Sequence, residues 1–297
     1  MDEQKSFILS CCSTADLTVT QMNEMDVPFA CFHYTLDGKE YLDDMGQTMS
    51  ANDFYQAMVD GAETRTAQIN VEEYRVYFAS LLEKGDVLHV TLSSGISGSY
   101  NSARIAAELL QEEYPNRKLF IVDSLGASSG FGLIVSTLAA MRAEGKSIEE
   151  VYDWAMENRL KMHHWFSSYD LTFYVKGGRI SKAAGWFGTV LKICPVLNMD
   201  NLGRLIPRFK IRGKQNALKE LVRQMKEHAQ NGTDYNGQCY MCHSNSYEEA
   251  RSVADMVEKI FPKLQGKVSI YDIGTTIGCH TGPGTVALFF WGDERIN

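Results

Sequence analysis

The chain has 297 residues, 44% of them hydrophobic and 22% charged, with a net charge of −8. That length suits two domains, each able to bury its own core. The negative balance argues against nucleic acid, which needs clustered Lys and Arg, and allows at most transient contact with an anionic membrane.

In chain order, residues 7–12, 28–35, 86–92 and 118–123 read as short β-rich runs. Asn70-Val-Glu-Glu73 has the spacing of a capping box and opens a helix to about Lys84. A second helix is expected after Ser97–Ser99 and a third in the Gly/Ser segment after Asp123. Strands alternating with helices imply βαβ units and a mainly parallel sheet. The character changes near residue 165. Residues 164–170, 195–200, 204–211, 238–243, 267–273 and 284–291 read as strands, with a turn at Asp200-Asn-Leu-Gly203. A helix from about Lys214 to Gln230 and another behind the Ser246-Tyr-Glu-Glu249 capping box complete an α+β half with a more antiparallel sheet. The expected domains are residues 1–165 and 166–297.

No apolar run approaches the roughly 18 residues of a membrane span. Met-Asp-Glu-Gln-Lys at the start lacks a basic region followed by an apolar stretch, so a cytoplasmic protein is expected. Seven scattered cysteines fit reduced thiols.

Four hydroxyl- and glycine-rich segments are candidates for chemistry: Ser13-Thr-Ala-Asp16, Ser93–Ser99, Asp123–Gly132 and His280-Thr-Gly-Pro-Gly284. The first three fall where a parallel strand ends, the edge at which ligands of open α/β sheets bind. The segment from Leu88 to Ala103 runs from an apolar strand through a Ser/Gly loop into a helix, aiming N–H groups and hydroxyls at one spot. That is a receptor for an anion. No Gly-Lys-Ser/Thr follows the Ser93 loop and the glycines of 126–132 are misspaced for a dinucleotide fingerprint, so phosphate is weakly supported. A carboxylate fits better, because a few hydroxyls and N–H groups hold two oxygens without a lysine.

Cys239-Tyr-Met-Cys-His243 matches the c-type haem attachment pattern, but it lies in a β-like run. His163-His164 shows no partner at metal spacing, Cys11-Cys12 reads as buried filler, and no Gly-x-Ser-x-Gly elbow surrounds Ser94. No cofactor and no metal are expected.

The order of Ser13-Thr-Ala-Asp-Leu17, Thr66-Ala-Gln68, Ser93-Ser-Gly-Ile-Ser-Gly-Ser-Tyr100, Asp123-Ser124 with Gly130-Phe-Gly132, Lys176-Gly-Gly-Arg-Ile-Ser181, Gly203 with Arg212, and Gly278-Cys-His-Thr-Gly-Pro-Gly284 resembles the DegV family. The resemblance covers nearly the whole chain. It implies a two-domain carrier that binds a long-chain fatty acid and is not itself an enzyme. A separate fatty acid kinase subunit would phosphorylate the bound acyl group. By position, the carboxylate ligands would be Thr66, Ser94 with the N–H of Gly95, and His280, with Ser93 as the alternative to Ser94. Arg212 would face the kinase, and Arg179 would pair with a carboxylate or backbone near its turn. Ala67, Cys12 and Cys194 stand where the family often has Ser, Asp and Lys. Burying a methylene is worth about 0.8 kcal/mol, so a tail of some sixteen carbons supplies on the order of 10 kcal/mol before ordering costs. Neutral donors at the head then need only fix register. The rival reading is a small-molecule or phosphate-binding transferase using the same loops.

Overall fold

In this computed structural model, which describes residues 7–181 and 193–296, the apolar runs of the first half build a parallel sheet. Its strands β1 (Ile8–Cys12), β2 (Phe29–Ala30), β6 (Val87–Thr91) and β7 (Leu119–Asp123) lie in the order β2-β1-β6-β7. Every residue of β6 is buried, which is why it reads as an unbroken apolar run with no alternation.

The run at residues 28–35, expected as one strand, serves two sheets. Phe29–Ala30 pairs with β1, and then β3 (His33–Leu36) joins β4 (Lys39–Leu42) and β5 (Thr64–Ala67) in an antiparallel sheet. A two-residue Asp37-Gly38 turn closes the β3–β4 hairpin, with φ of 49° and 80°. Both residues are left-handed, the geometry that matches hairpin twist and favours Asp-Gly.

Helices α1 (Val19–Glu24), α2 (Ala51–Val59), α3 (Val71–Leu82), α4 (Ser99–Glu113), α5 (Ser128–Ala143) and α6 (Ile148–Asn158) fill the gaps between strands. The Asn70 capping box forms: its side chain accepts from Glu73 N at 3.0 Å, and Glu73 accepts from Asn70 N at 2.7 Å. The Ser246 box does not form. Ser246 precedes its helix without a side-chain cap bond, and its N–H donates to His243 Nδ1 at 3.4 Å.

The second half builds a six-stranded sheet from β8 (Met162–Ser168), β9 (Ile193–Met199), β10 (Leu205–Arg212), β11 (Cys239–His243), β12 (Val268–Asp272) and β13 (Thr285–Trp291). The order is β10-β9-β8-β13-β11-β12, and only β11 and β12 pair in parallel. The expected boundary after residue 165 falls inside β8, all of which pairs in this second sheet. Short helices α7 (Thr172–Lys176) and α10 (Thr275–Thr281) flank it, and α8 (Lys214–His228) and α9 (Tyr247–Ile260) cover one face.

Strand alternation splits the core. Trp165, Val196, Met241, Leu288 and Phe290 face α8 and α9, whereas Phe166, Leu197, Cys242, Ala287 and Phe289 face the other way. That second face meets α5, which also packs on β1, so α5 sits between the two sheets. Eleven of its sixteen residues are buried, which explains a sequence with little amphipathic contrast.

Candidate functional site

The loops after β6 and β7 converge with α10 and the inner face of the six-stranded sheet on a cavity of about 320 Å³. Leu92, Ile96, Ala127, Phe166, Leu205 and Phe289 supply apolar lining, and Thr66, Gln68, Ser97, Arg179 and His280 gather as a polar group in its wall. The space is partly open, with the start of α5 reaching its wall through Ser128.

Thr66 and His280 meet. Thr66 sits on β5 and His280 on α10, and Oγ1 lies 2.8 Å from Nε2. Arg179 Nη1 points at His280 Nδ1 from 3.5 Å, also donates to the Gly177 carbonyl at 2.6 Å, and its Nε donates to the Ile96 carbonyl at 3.2 Å. A donor facing Nδ1 leaves the imidazole proton on Nε2, aimed at Thr66. Burial, and then the Arg179 charge, lower the His280 pKa to about 4. The ring is therefore a neutral donor at physiological pH. The Gly-Gly-Arg turn is shaped around it: a Cβ on Gly177 would stand 2.2 Å from His280 Nδ1.

The Ser93 loop behaves differently from its sequence expectation. Ser93 is fully buried and donates to the Gly203 carbonyl at 2.8 Å, while its oxygen accepts from Gly95 N at 3.0 Å. The Gly95 N–H is thus already occupied. Ser94 is exposed, and its N–H donates to Asp123 Oδ1 at 3.1 Å. None of the three lines the cavity; Ile96 and Ser97 do. The glycines explain the motif instead. A Cβ on Gly95 would stand 2.4 Å from the Leu202 carbonyl oxygen, and one on Gly203, at φ +69°, 2.0 Å from Ser93 Oγ. The β9–β10 turn is seated on the Ser93 loop and joins the two sheets. Arg212 is exposed at the opposite end of β10 from Leu205, roughly 23 Å away by strand rise.

His164 lines the cavity with both ring nitrogens engaged: Nδ1 donates to the Met162 carbonyl at 3.1 Å, and Nε2 accepts from Ala127 N at 3.2 Å. His163 does acquire partners that its spacing did not show. Its Nε2 is 2.9 Å from Asp293 Oδ1, and His228 Nδ1 is 3.1 Å from the same oxygen. These three are close enough to share an ion. Yet Trp165 Nε1 donates to His163 Nδ1 at 3.3 Å, which keeps the proton on Nε2 facing Asp293. A ligating histidine needs that lone pair free and its other nitrogen donating. The trio is a hydrogen-bonded clasp on the chain's last segment.

The haem pattern also dissolves in three dimensions. Cys239 faces the α8–α9 core and Cys242 faces the cavity, so the two thiols lie on opposite sides of the sheet. Burial raises both thiol pKa values far above their ordinary range. Among the described residues, no helix is long and apolar enough to cross a membrane.

Fold and site together define an α/β protein with a partly open, mainly apolar pocket and the Thr66–His280 pair set in its wall. Residues 12–293 match the family described as "Uncharacterised protein, DegV family", and the chain belongs to the DegV family. It is 34% identical to a DegV domain-containing protein of Clostridium perfringens, over 98% of this chain and 99% of that one. Among solved structures it is similar to a DegV lipid-binding protein from Thermotoga maritima, with 26% identity, TM-score 0.82 and coverage of 98% and 100%. A DegV family protein from Thermus thermophilus, described for its fatty acid binding, gives 26% identity, TM-score 0.84 and coverage of 97% and 100%.

Proposed function

We propose that this protein is a carrier that binds a long-chain fatty acid and presents it to a partner kinase. The observation that carries the reading is the Thr66–His280 pair at 2.8 Å, set in the wall of a mainly apolar cavity. A carboxylate entering there separates the pair: Thr66 Oγ1–H donates to one oxygen and His280 Nε2–H to the other. Ser97 and Gln68 line the same cavity. Hydrogen bonds to a charged acceptor are worth about 1.5–3 kcal/mol each, so they orient the head while the buried tail supplies most of the affinity. The solved relatives described as lipid- or fatty-acid-binding share this fold, which supports the same ligand class here.

On this reading His280 serves as a neutral hydrogen-bond donor, its Nδ1 facing the Arg179 guanidinium. The protein on this reading shapes and shields the acid. A separate kinase subunit transfers a phosphoryl group to the carboxylate, giving an acyl phosphate, and exposed Arg212 is the contact proposed for that partner. Native mass spectrometry of protein purified without added lipid tests the reading. Co-purifying fatty acid, or stoichiometric uptake of palmitate or oleate by delipidated protein, is the expected result. Protein that carries none and takes up neither acid overturns it.

A further inference from the structure

A second cavity, of about 400 Å³, lies beside the first and plays no part in the acyl reading. Asp16, Asp43, Asp272, Gly274 and Thr275 line it. Asp16 and Asp43 are only 4% and 2% exposed. They approach each other across Gly274, where a Cβ would stand 2.5 Å from Asp16 Oδ1 and 3.6 Å from Asp43 Oδ1. Burial pushes both carboxyls above their ordinary range, the Asp43 charge raises Asp16 further, and among the described residues no cationic side chain offsets either.

The hydrogen bonding around this pair is incomplete. Ser128 donates to Asp16 Oδ2, and Thr276 N donates to Asp43 Oδ2 at 3.3 Å. Although the Gly274 N–H stands near enough to ease its charge, Asp16 Oδ1 has no partner of ordinary hydrogen-bond geometry. The same holds for the hydroxyls of Thr14, two residues before it, and of Thr275 and Thr276, which follow Gly274. The two threonine hydroxyls after Gly274 stand near enough to ease the Asp43 charge, yet form no bond of ordinary geometry. Among the described residues, seven buried side-chain polar atoms lack a partner; four lie in this stretch of chain, and two of these, Asp16 Oδ1 and the Thr275 hydroxyl, belong to residues that line the cavity. Buried polar atoms are normally satisfied, so such a concentration calls for a missing occupant. The unpartnered atoms are all oxygen, one of them a carboxylate with the Asp43 carboxylate beside it, in a space with room for water. That is the donor set of a hard divalent cation.

We propose that Asp16 and Asp43 hold a Mg²⁺ or Ca²⁺ ion, with the Thr275 hydroxyl and water completing its shell. The ion ties together two helices that frame the first cavity. Asp16 engages the start of α5 through Ser128 and through Ser129, whose hydroxyl donates to the Asp16 carbonyl at 3.0 Å. Asp43 engages the start of α10, which carries His280. The proposal does not rest on what the first cavity binds.

The rival occupant is a single proton shared between the carboxylates. Protein stripped with EDTA and titrated separately with MgCl₂ and CaCl₂ separates the two. Expected is saturable binding at one site per chain and a Tm rise of several degrees for one of the ions, as mass action requires of a ligand held only by the folded state. Asp16→Asn and Asp43→Asn each abolish the rise, and Asp44→Asn keeps it. No saturable shift with either ion overturns the proposal, as does a shift that persists in both Asn variants. Should the variants fail to fold, wild-type metal content decides: protein dialysed against either ion and freed of excess must retain about one equivalent, and metal-free protein sinks the idea.

Discussion

Thr66 and His280 stand 214 residues apart in sequence, yet their side chains meet at 2.8 Å, with Arg179 fixing the imidazole tautomer from the far side. Under the carrier reading, His280→Ala and Thr66→Val should each weaken oleate binding by about 1–3 kcal/mol, the worth of a hydrogen bond to a charged group. The double variant should lose less than the sum, because both donors serve one carboxylate. Ser97→Ala should weaken binding as well, whereas exposed Ser94→Ala should leave it within about twofold of wild type. Calorimetric titration checks all five variants, and unchanged affinity in His280→Ala would remove the head-group assignment.

Ala287 faces the cavity from β13 and is 4% exposed. Ala287→Phe puts a ring where the tail is proposed to run. Affinity for sixteen- and eighteen-carbon acids should fall at least about tenfold, a shift of roughly 1.4 kcal/mol, while shorter chains lose less. A competition series over chain length measures this, and equal losses at every length would argue that the tail lies elsewhere.

The pH dependence has a defined sign. An unfolded histidine titrates near about 6.5, and burial with Arg179 holds His280 at about 4. Between those values the unfolded chain binds more protons, so the stability from a neutral His280 is complete above about pH 6.5 and is lost as pH falls towards 4. His163, also lowered to about 4 by burial, and His89, to about 3, contribute in the same direction. Urea midpoints at pH 7.5 and 5.0 should therefore differ less for His280→Gln than for wild type. An identical difference in both would contradict a buried neutral ring.

Gly203→Ala meets two obstacles at once, a φ of +69° and a Cβ 2.0 Å from Ser93 Oγ. The left-handed backbone and the overpacking together should cost about 2–4 kcal/mol in chemical denaturation. Removing the hydroxyl in a Ser93→Ala background should return part of that loss. Independent, additive effects would show that the β9–β10 turn is not seated on the Ser93 loop.

The parallel sheet, the mostly antiparallel second sheet, the Asn70 cap and the Asp200–Gly203 turn were all legible because their causes are local: apolar runs, capping spacing and turn residues. The split of residues 28–35 had a local signal too, in Asp37-Gly38. The unformed cap at Ser246 had none, because its N–H was claimed by His243 from the end of β11. In the Ser93 loop the composition marked a place whose contacts only the tertiary structure supplied. Ser93 and Gly95, read as candidate donors to a ligand, meet the β9–β10 turn, and the Ser94 N–H donates to Asp123.

By itself, the sequence determined which segments become strands and helices, the strand-end edge at which the pocket opens, and family membership. Each of these follows from periodicity or from short motifs in a fixed order. Tertiary structure alone decided which hydroxyls face the cavity, which tautomer His280 carries, that Cys239 and Cys242 look in opposite directions, and that Asp16 and Asp43 come together. Those depend on how two sheets pack about α5. A side chain's chemistry is set by neighbours that long-range packing brings to it, and no local pattern encodes them.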